Sequence, residues 1–100
     1  MNRVMGDSLP NYTPKQGQYL AFIHAYALVN GQPPAEADMI RFFRTTPPSV
    51  HQMILRLEQA GWIARQPGRA RSIVLLLDRN ALPELQPGYL EPIKTTATRY

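Results

Sequence analysis

The 100-residue sequence predicts one mainly α-helical domain that carries a small β-hairpin. Three segments show apolar residues at helical spacing, and two short β-prone segments flanking a Pro-Gly dipeptide follow them. Hydrophobic residues make up 44% of the chain and charged residues 18%, which favours a packed core over disorder. We expect three helices plus a hairpin over residues 12–77, after a flexible leader at 1–11 and before a partly docked tail at 78–100.

The first helix is predicted to begin after Thr13. Residues 13–16, Thr-Pro-Lys-Gln, combine a capping box with proline at the first helical position, where no backbone N–H donor is needed. Apolar residues then recur at helical spacing over residues 20–27, and Asn30-Gly31 is a common C-terminal stop. The helix is therefore expected to run to about Asn30.

The second helix is predicted to be short, over about residues 35–43, after a rigid Gln-Pro-Pro connector. Glu36 and Asp38 lie in its first turn, where negative charge is favourable to the helix dipole. Ala35 has no side-chain acceptor and is a poor N-cap. The helix is expected to depend on tertiary packing more than on its own cap.

The third helix is predicted to follow a tight connection, with Thr46 as its N-cap and Pro47 at its first position, and to end at Gly61. An apolar stripe at spacings of four and three gives it a core-facing side. The stripe consists of Val50, Ile54 and Leu57.

Two β-prone segments follow, at residues 62–65 and 71–77, and Pro67-Gly68 predicts a turn between them. Ile63, Ile73 and Leu75 are expected to face the core. Because an isolated two-stranded hairpin is marginally stable in water, it must pack on the helices.

The positive charge of the chain is concentrated in its middle. The net charge is +4, and the segment 41–71 contains six arginines, no lysine and one acidic residue, Glu58. This segment therefore carries +5 and the remainder −1. Clustered arginines favour a polyanionic partner that rewards planar, multi-donor contacts, such as phosphate.

The order helix, helix, tight turn, helix, hairpin is that of a winged helix-turn-helix. The major groove of DNA admits a helix and distinguishes every base pair, and the hairpin, or wing, can reach neighbouring phosphates. The pattern therefore predicts a sequence-specific regulator of transcription that binds double-stranded DNA. We expect a homodimer on a palindromic site, because one small module gives limited affinity.

Residues 12–77 also resemble the DNA-binding domain of LexA-type repressors. Six pieces occur in the family's order and at nearly its spacing. They are Thr-Pro-Lys-Gln at 13–16, Gly-Gln-Pro-Pro at 31–34, Ser-Val-His at 49–51, Arg-Leu-Glu at 56–58, Gly61 followed by Ile63, and Pro67-Gly68 leading to Arg-Ser-Ile at 71–73. The resemblance implies a winged helix-turn-helix and a repressor-like function.

The sequence departs from the family in two places. Phe42-Phe43 stands where a small residue and Gly are usual. LexA-type repressors also carry a C-terminal domain that dimerises and cleaves itself with a Ser/Lys pair. The 23 residues after Leu77 are too few to form that domain, so self-cleavage is not expected here.

By the resemblance, the base-reading positions fall at the start of the third helix. They are Thr46, Pro48, Ser49, His51 and Gln52. Residue chemistry agrees in part, because Gln52 can bond an adenine edge bidentately and Ser49 can bond either base type, whereas Pro48 offers only apolar contact.

The arginines around that helix and on the wing are predicted to contact phosphate. They are Arg44, Arg56, Arg65, Arg69 and Arg71. Each phosphate contact is expected to add about one unit to the salt dependence of binding.

A protein-interaction module without DNA binding is the alternative hypothesis. Winged helices also serve as docking domains, and Met53 and Leu55 lie near the third-helix face that would then be apolar. RNA binding is a third possibility, but it needs stacking aromatics or a surface shaped for double-stranded RNA, and neither is evident.

Enzyme, metal and membrane functions lack support in the residues. There is no glycine-rich phosphate loop, metalloprotease motif or nucleophile elbow, so the chain is expected not to be an enzyme. Cysteine is absent and the two histidines, His24 and His51, are far apart, so no cofactor and no metal is predicted. The start lacks a signal peptide and the longest apolar run, residues 73–77, is too short to span a bilayer, so a cytoplasmic location is expected.

Overall fold

The computed structural model describes residues 10–88, so most of the predicted leader and the last part of the predicted tail lie outside the described residues. Three helices come first: α1 (Pro14–Asn30), α2 (Glu36–Phe43) and α3 (Pro47–Gln59). The strands β1 (Ile63–Ala64) and β2 (Val74–Leu75) pair antiparallel, and a short 3₁₀ helix (Arg79–Ala81) follows. This order confirms the predicted fold class.

The ends of α1 and the start of α3 lie where the capping residues place them. The Thr13 hydroxyl accepts the Gln16 N–H at 3.1 Å, and the Gln16 side chain accepts the Thr13 N–H at 2.9 Å. Gly31 adopts a φ of +74° just past α1, as a left-handed C-cap requires. Thr46 caps α3 by accepting the N–H of Ser49 at 3.3 Å. Local sequence signals therefore fix these boundaries.

The C-terminus of α2 is formed without glycine. Arg44 adopts a left-handed φ of +52°, which costs a residue with a side chain about 1–2 kcal/mol. Aromatic packing holds the preceding turn: Phe43 stacks on Tyr19 with ring centroids 4.0 Å apart, and Phe42 lies 4.6 Å from Phe22 of α1. Such ring pairs contribute about 0.5–1.5 kcal/mol each beyond burial, which offsets the backbone cost.

The hairpin is shorter than predicted, and the prediction of strands over residues 62–65 and 71–77 is wrong in extent. Each strand has two residues in the ladder. Arg71 has a φ of +57°, which turns the chain out of the extended conformation before β2. The Ser72 hydroxyl, instead of a backbone carbonyl, accepts the N–H of Gln66 at 2.9 Å. At the other end, the Leu76 N–H donates to the Trp62 carbonyl at 2.9 Å and extends the pairing by one bond.

The core lies between the three helices and the inner face of the hairpin. It includes side chains from every helix and both hairpin arms, each at most 6% exposed. They include Leu20, Ile23, Met39, Val50, Ile54, Leu57, Ile63 and Ile73. The predicted stripe of α3 is thus buried, and this fixes the rotation of α3 about its axis.

The segment after β2 folds back along α1. The Gln18 side chain donates to the Glu84 carbonyl at 2.9 Å and accepts the Gln86 N–H at 2.7 Å, as a neighbouring strand would. At the end of the described residues, Gly88 lies so close to α2 that a Cβ there would overlap the Phe42 carbonyl. This segment therefore contacts the first half of α1 and reaches the C-terminal end of α2.

Truncating the centre of the α3 stripe should test this packing. Ile54 is fully buried, so Ile54→Ala should lower the free energy of unfolding by about 2–5 kcal/mol. Val29, on α1, is 81% exposed, and Val29→Ala should change it by less than about 0.5 kcal/mol. Urea unfolding followed by circular dichroism measures both, and equal effects of the two substitutions would contradict the assigned core.

Candidate nucleic-acid interface

The first turns of α3 form an exposed polar edge, here called the reading edge. The five residues predicted to contact bases all lie on it and are all exposed: Thr46, Pro48, Ser49, His51 and Gln52. The Thr46 hydroxyl lies 3.0 Å from the Ser49 hydroxyl, so the two oxygens stand side by side at the tip of the helix. Because the opposite side of α3 is locked in the core, the reading edge has a fixed direction.

The reading edge is linked to the start of α2. His51 Nδ1 lies 3.5 Å from a carboxylate oxygen of Glu36, and the two side chains are 51% and 40% exposed. A contact of that length between exposed groups is weak. His51 can therefore leave Glu36 for an incoming hydrogen-bonding partner.

A shallow depression of about 390 Å³ borders the reading edge on the side of α1. It is lined by Lys15, Tyr19, Pro48, Ser49, Gln52, Met53 and Arg56. Lys15, in the first turn of α1, and Arg56 are both exposed, so two cations flank the polar residues of α3. Nothing in the sequence distinguishes Lys15 as part of this surface, because only the packing of α1 beside α3 brings it here.

Met53 and Leu55 are the residues that favoured a protein-docking role, and both are half-buried. Met53 packs against the core and only part of it lines the depression. The exposed surface at this end of α3 is therefore polar and basic rather than apolar.

The wing, residues 65–73, is a compact loop closed by its own hydrogen bonds. The Arg69 N–H donates to the Gln66 carbonyl at 3.1 Å, and Gly68 supplies the positive φ, +79°, that a type II turn needs. The Ser72 hydroxyl accepts the Gln66 N–H at 2.9 Å, which ties the two arms together, and it donates to the Arg69 carbonyl at 2.9 Å. Arg69 is exposed at the tip, where its guanidinium donates to the Gln66 side chain at 3.1 Å.

The other predicted phosphate contacts differ in how exposed they are. Arg44 and Arg56 are exposed, at the C-cap of α2 and on α3. Arg65 is only 16% exposed, and its Nε donates to a carboxylate oxygen of Glu58 at 3.2 Å. The sequence places these arginines in one class, whereas in the structure Arg44 and Arg56 are exposed and Arg65 is largely covered.

Arg71 has the most extensive protein contacts of the wing arginines. One terminal nitrogen lies 3.0 Å from a carboxylate oxygen of Asp38, 3.0 Å from the Tyr26 hydroxyl and 3.2 Å from the Pro33 carbonyl. Its guanidinium carbon also lies 5.8 Å from the centre of the Tyr26 ring. Arg71 therefore joins the wing to α1, to the α1–α2 connector and to α2.

Asp38 is the buried acceptor of this network and is 7% exposed. One oxygen accepts the N–H of Ala35 at 2.8 Å together with Arg71, and the other accepts from Arg41 at 2.6 Å. Burial alone opposes ionisation and would raise the pKa of Asp38. The Ala35 N–H and the charges of Arg71 and Arg41 outweigh burial, so the pKa is lowered. Asp38 thus also supplies the N-terminal contact that Ala35 cannot provide with its own side chain.

Within residues 10–88, no group of His, Asp and Glu side chains is arranged to hold a metal ion. Over the same range, no helix is both long and apolar enough to cross a membrane.

Three helices with a tight α2–α3 connection, an exposed polar edge on α3 and a basic wing define a winged helix-turn-helix. Comparison with known families agrees, because the sequence model described as LexA DNA binding domain matches residues 10–72. The chain belongs to the LexA DNA-binding domain family. That family is a DNA-binding one and not a family of enzymes, as the sequence predicted.

Individual relatives show the same extent of similarity. The LexA repressors of Thermosipho melanesiensis and Thermosipho africanus are each 39% identical over 64 residues, which is 64% of this chain and 32% of those proteins. The LexA repressor of Thermotoga petrophila is 33% identical over 76 residues, 75% of this chain and 39% of that protein. The chain thus spans about a third of the length of the curated relatives it matches.

Asp38→Asn should reveal how much the ionised carboxylate contributes. It removes the charge while keeping the shape, and should lower the free energy of unfolding by about 1–3 kcal/mol near neutral pH. Because the pKa is lowered on folding, the contribution of the carboxylate is present above the ordinary value of 3.8 and is lost as the pH falls below it. In urea unfolding from about pH 7 to about pH 3, the gap between wild type and variant should shrink. A gap that stays constant or widens would count against the ionised state of Asp38.

Proposed function

We propose that this chain is a sequence-specific, repressor-like regulator of transcription that binds double-stranded DNA. The observation that carries the proposal is the exposed polar reading edge of α3, flanked by Lys15 and Arg56 and backed by a buried stripe. Membership in the LexA DNA-binding domain family and the repressor names of its relatives support it.

In this proposal the reading edge enters the major groove. Thr46, Ser49 and His51 offer hydroxyl and imidazole groups to base edges, and Gln52 can accept from and donate to an adenine at once. Pro48 contributes an apolar contact, for instance to a thymine methyl. Since Pro47 and Pro48 lack N–H donors, few direct hydrogen bonds carry the specificity, and most of the affinity comes from phosphate contacts.

Phosphate contacts on either side fix the position of α3 on the duplex. We assign them to Arg56 and Arg44, to Arg69 at the tip of the wing, and to Lys15 at the start of α1. Arg65 and Arg71 were predicted as phosphate contacts too. Because Glu58 and Asp38 engage their guanidinium groups, we assign Arg65 and Arg71 to holding the wing in place rather than to contacting phosphate.

A single module of this size presents one reading edge, so we propose that two copies bind a palindromic site with one half-site each. Selection of bound duplexes from a random library, with this chain as bait, tests this directly. Recovered half-sites at a fixed spacing support the dimer, and isolated half-sites support a monomer. Absence of salt-sensitive binding to any duplex at low ionic strength would remove the DNA-binding proposal.

The specificity of the reading edge can be tested at Gln52. On the selected site, Gln52→Ala should weaken binding by about 1–3 kcal/mol and relax preference at one base position, because a bidentate base contact is lost. Gln59 is the matched control, since it is exposed on the last turn of the same helix, away from the reading edge. Fluorescence anisotropy with wild-type and base-substituted duplexes measures both variants. Equal effects of the two substitutions would show that Gln52 does not read a base.

A further inference from the structure

We propose that Arg71 is a positioning residue for DNA binding: held by the buried Asp38 carboxylate, it fixes the wing in the orientation that presents Arg69 to phosphate. The inference rests on the DNA-binding function proposed above. This inference gives Arg71 and Asp38 a role that the charge pattern alone does not indicate. From charge alone, Arg71 would be counted as a phosphate contact and Asp38 as an acid that repels DNA.

The wing needs such an anchor because its strands hold it weakly. β1 and β2 pair over two residues each, and the nine residues of the wing, 65–73, include no ladder pair. A two-stranded ribbon of that length does not fix its own orientation. Arg65, at the start of the wing, pairs with Glu58 on α3, and Arg71 binds the later part of the wing to Asp38 on α2 and to Tyr26 on α1.

Holding Arg71 in place also restricts Arg69, because hydrogen bonds close the loop that contains both residues. Ser72 bonds to both Gln66 and Arg69, and the Gln66–Arg69 turn completes the closure. Arg71 itself adopts a left-handed φ of +57°, an uncommon conformation for arginine. Surrounding contacts must hold a residue in that conformation, and the three acceptors around its guanidinium do so.

A substitution at Asp38 tests the inference, because a positioning role and simple charge repulsion predict opposite changes in DNA affinity. It is 7% exposed and engaged by Arg41, Arg71 and the Ala35 N–H, so it cannot touch DNA. Removing a negative charge from a DNA-binding domain should strengthen binding by simple electrostatics. If Asp38 acts through the wing, removing its charge should weaken binding instead.

The experiment is a double-mutant cycle on the selected duplex, read as affinity and as the slope of log affinity against log salt. The variants are Arg69→Ala, Arg71→Ala, Asp38→Asn and the two doubles with Arg69→Ala. Each is measured at a temperature where circular dichroism shows it folded. If Asp38→Asn does not fold, the cycle with Arg71→Ala decides alone.

We expect Arg69→Ala to reduce the slope by about one unit. Arg71→Ala should reduce it by a similar amount, and the double variant should lose no more than either single one, because both act on one phosphate contact. A loss of about two units in the double variant would overturn the inference, since it would make Arg71 an independent phosphate contact. Asp38→Asn should weaken binding, and tighter or unchanged binding would overturn it as well.

Arg41→Ala is the matched control, because Arg41 pairs with the other oxygen of Asp38 but its side chain is 73% exposed and lies on α2, outside the wing. Its effect should add to that of Arg69→Ala. If the wild-type chain shows no salt-sensitive binding, the proposed function fails. If it binds but the Arg69 and Arg71 effects add, only the positioning role fails.

Discussion

The buried carboxylate of Asp38 is the point at which two distant parts of the chain, α2 and the wing, meet. It accepts hydrogen bonds from the Ala35 N–H at the start of α2, from Arg41 on the next turn of that helix, and from Arg71 in the wing, 33 residues later in the chain. Burying a carboxylate costs free energy, and the ion pairs that offset this cost need not make the fold more stable than an apolar residue would. Its clearer consequence is geometric, because Arg71, unlike the other two donors, reaches the carboxylate only while the wing lies against α2. The placement of the wing against α2 therefore depends on this group, together with the Arg65–Glu58 contact to α3 and the buried side chain of Ile73.

The same constraint explains why the hairpin can be so short. In a longer hairpin the ladder sets the direction of the loop, and side chains are free to face solvent. Here the chain leaves the extended conformation at Arg71, so ladder hydrogen bonds are exchanged for bonds from one guanidinium. The buried side chains of Ile63 and Ile73 hold the base of the hairpin, and Arg71 holds the side of its loop. Packing and polar contacts thus together orient the loop, as the ladder of a longer hairpin would.

Much of the fold was predictable because its signals are local. The capping box at Thr13, the cap at Thr46 and the stop at Gly31 act within four residues, and the stripe on α3 repeats within one helix. The start of α3 and its exposed edge followed from these signals. The end of α2 was harder, since Phe42-Phe43 offers no stop signal. Its geometry comes from rings of another helix that stack on these two residues.

The residues of the candidate interface were largely predictable from the sequence, but which of its cations pair with acidic side chains of the protein was not. Six arginines in one segment look equivalent in a sequence, because nothing local distinguishes an arginine that meets solvent from one that meets an acid across the fold. Glu58 engages Arg65 and Asp38 engages Arg71, while Lys15 joins the surface from α1. All three relations span helices or strands that pack only in the folded chain. A count of arginines therefore includes two that acidic side chains of the protein engage, and it omits Lys15, which lies on the same surface.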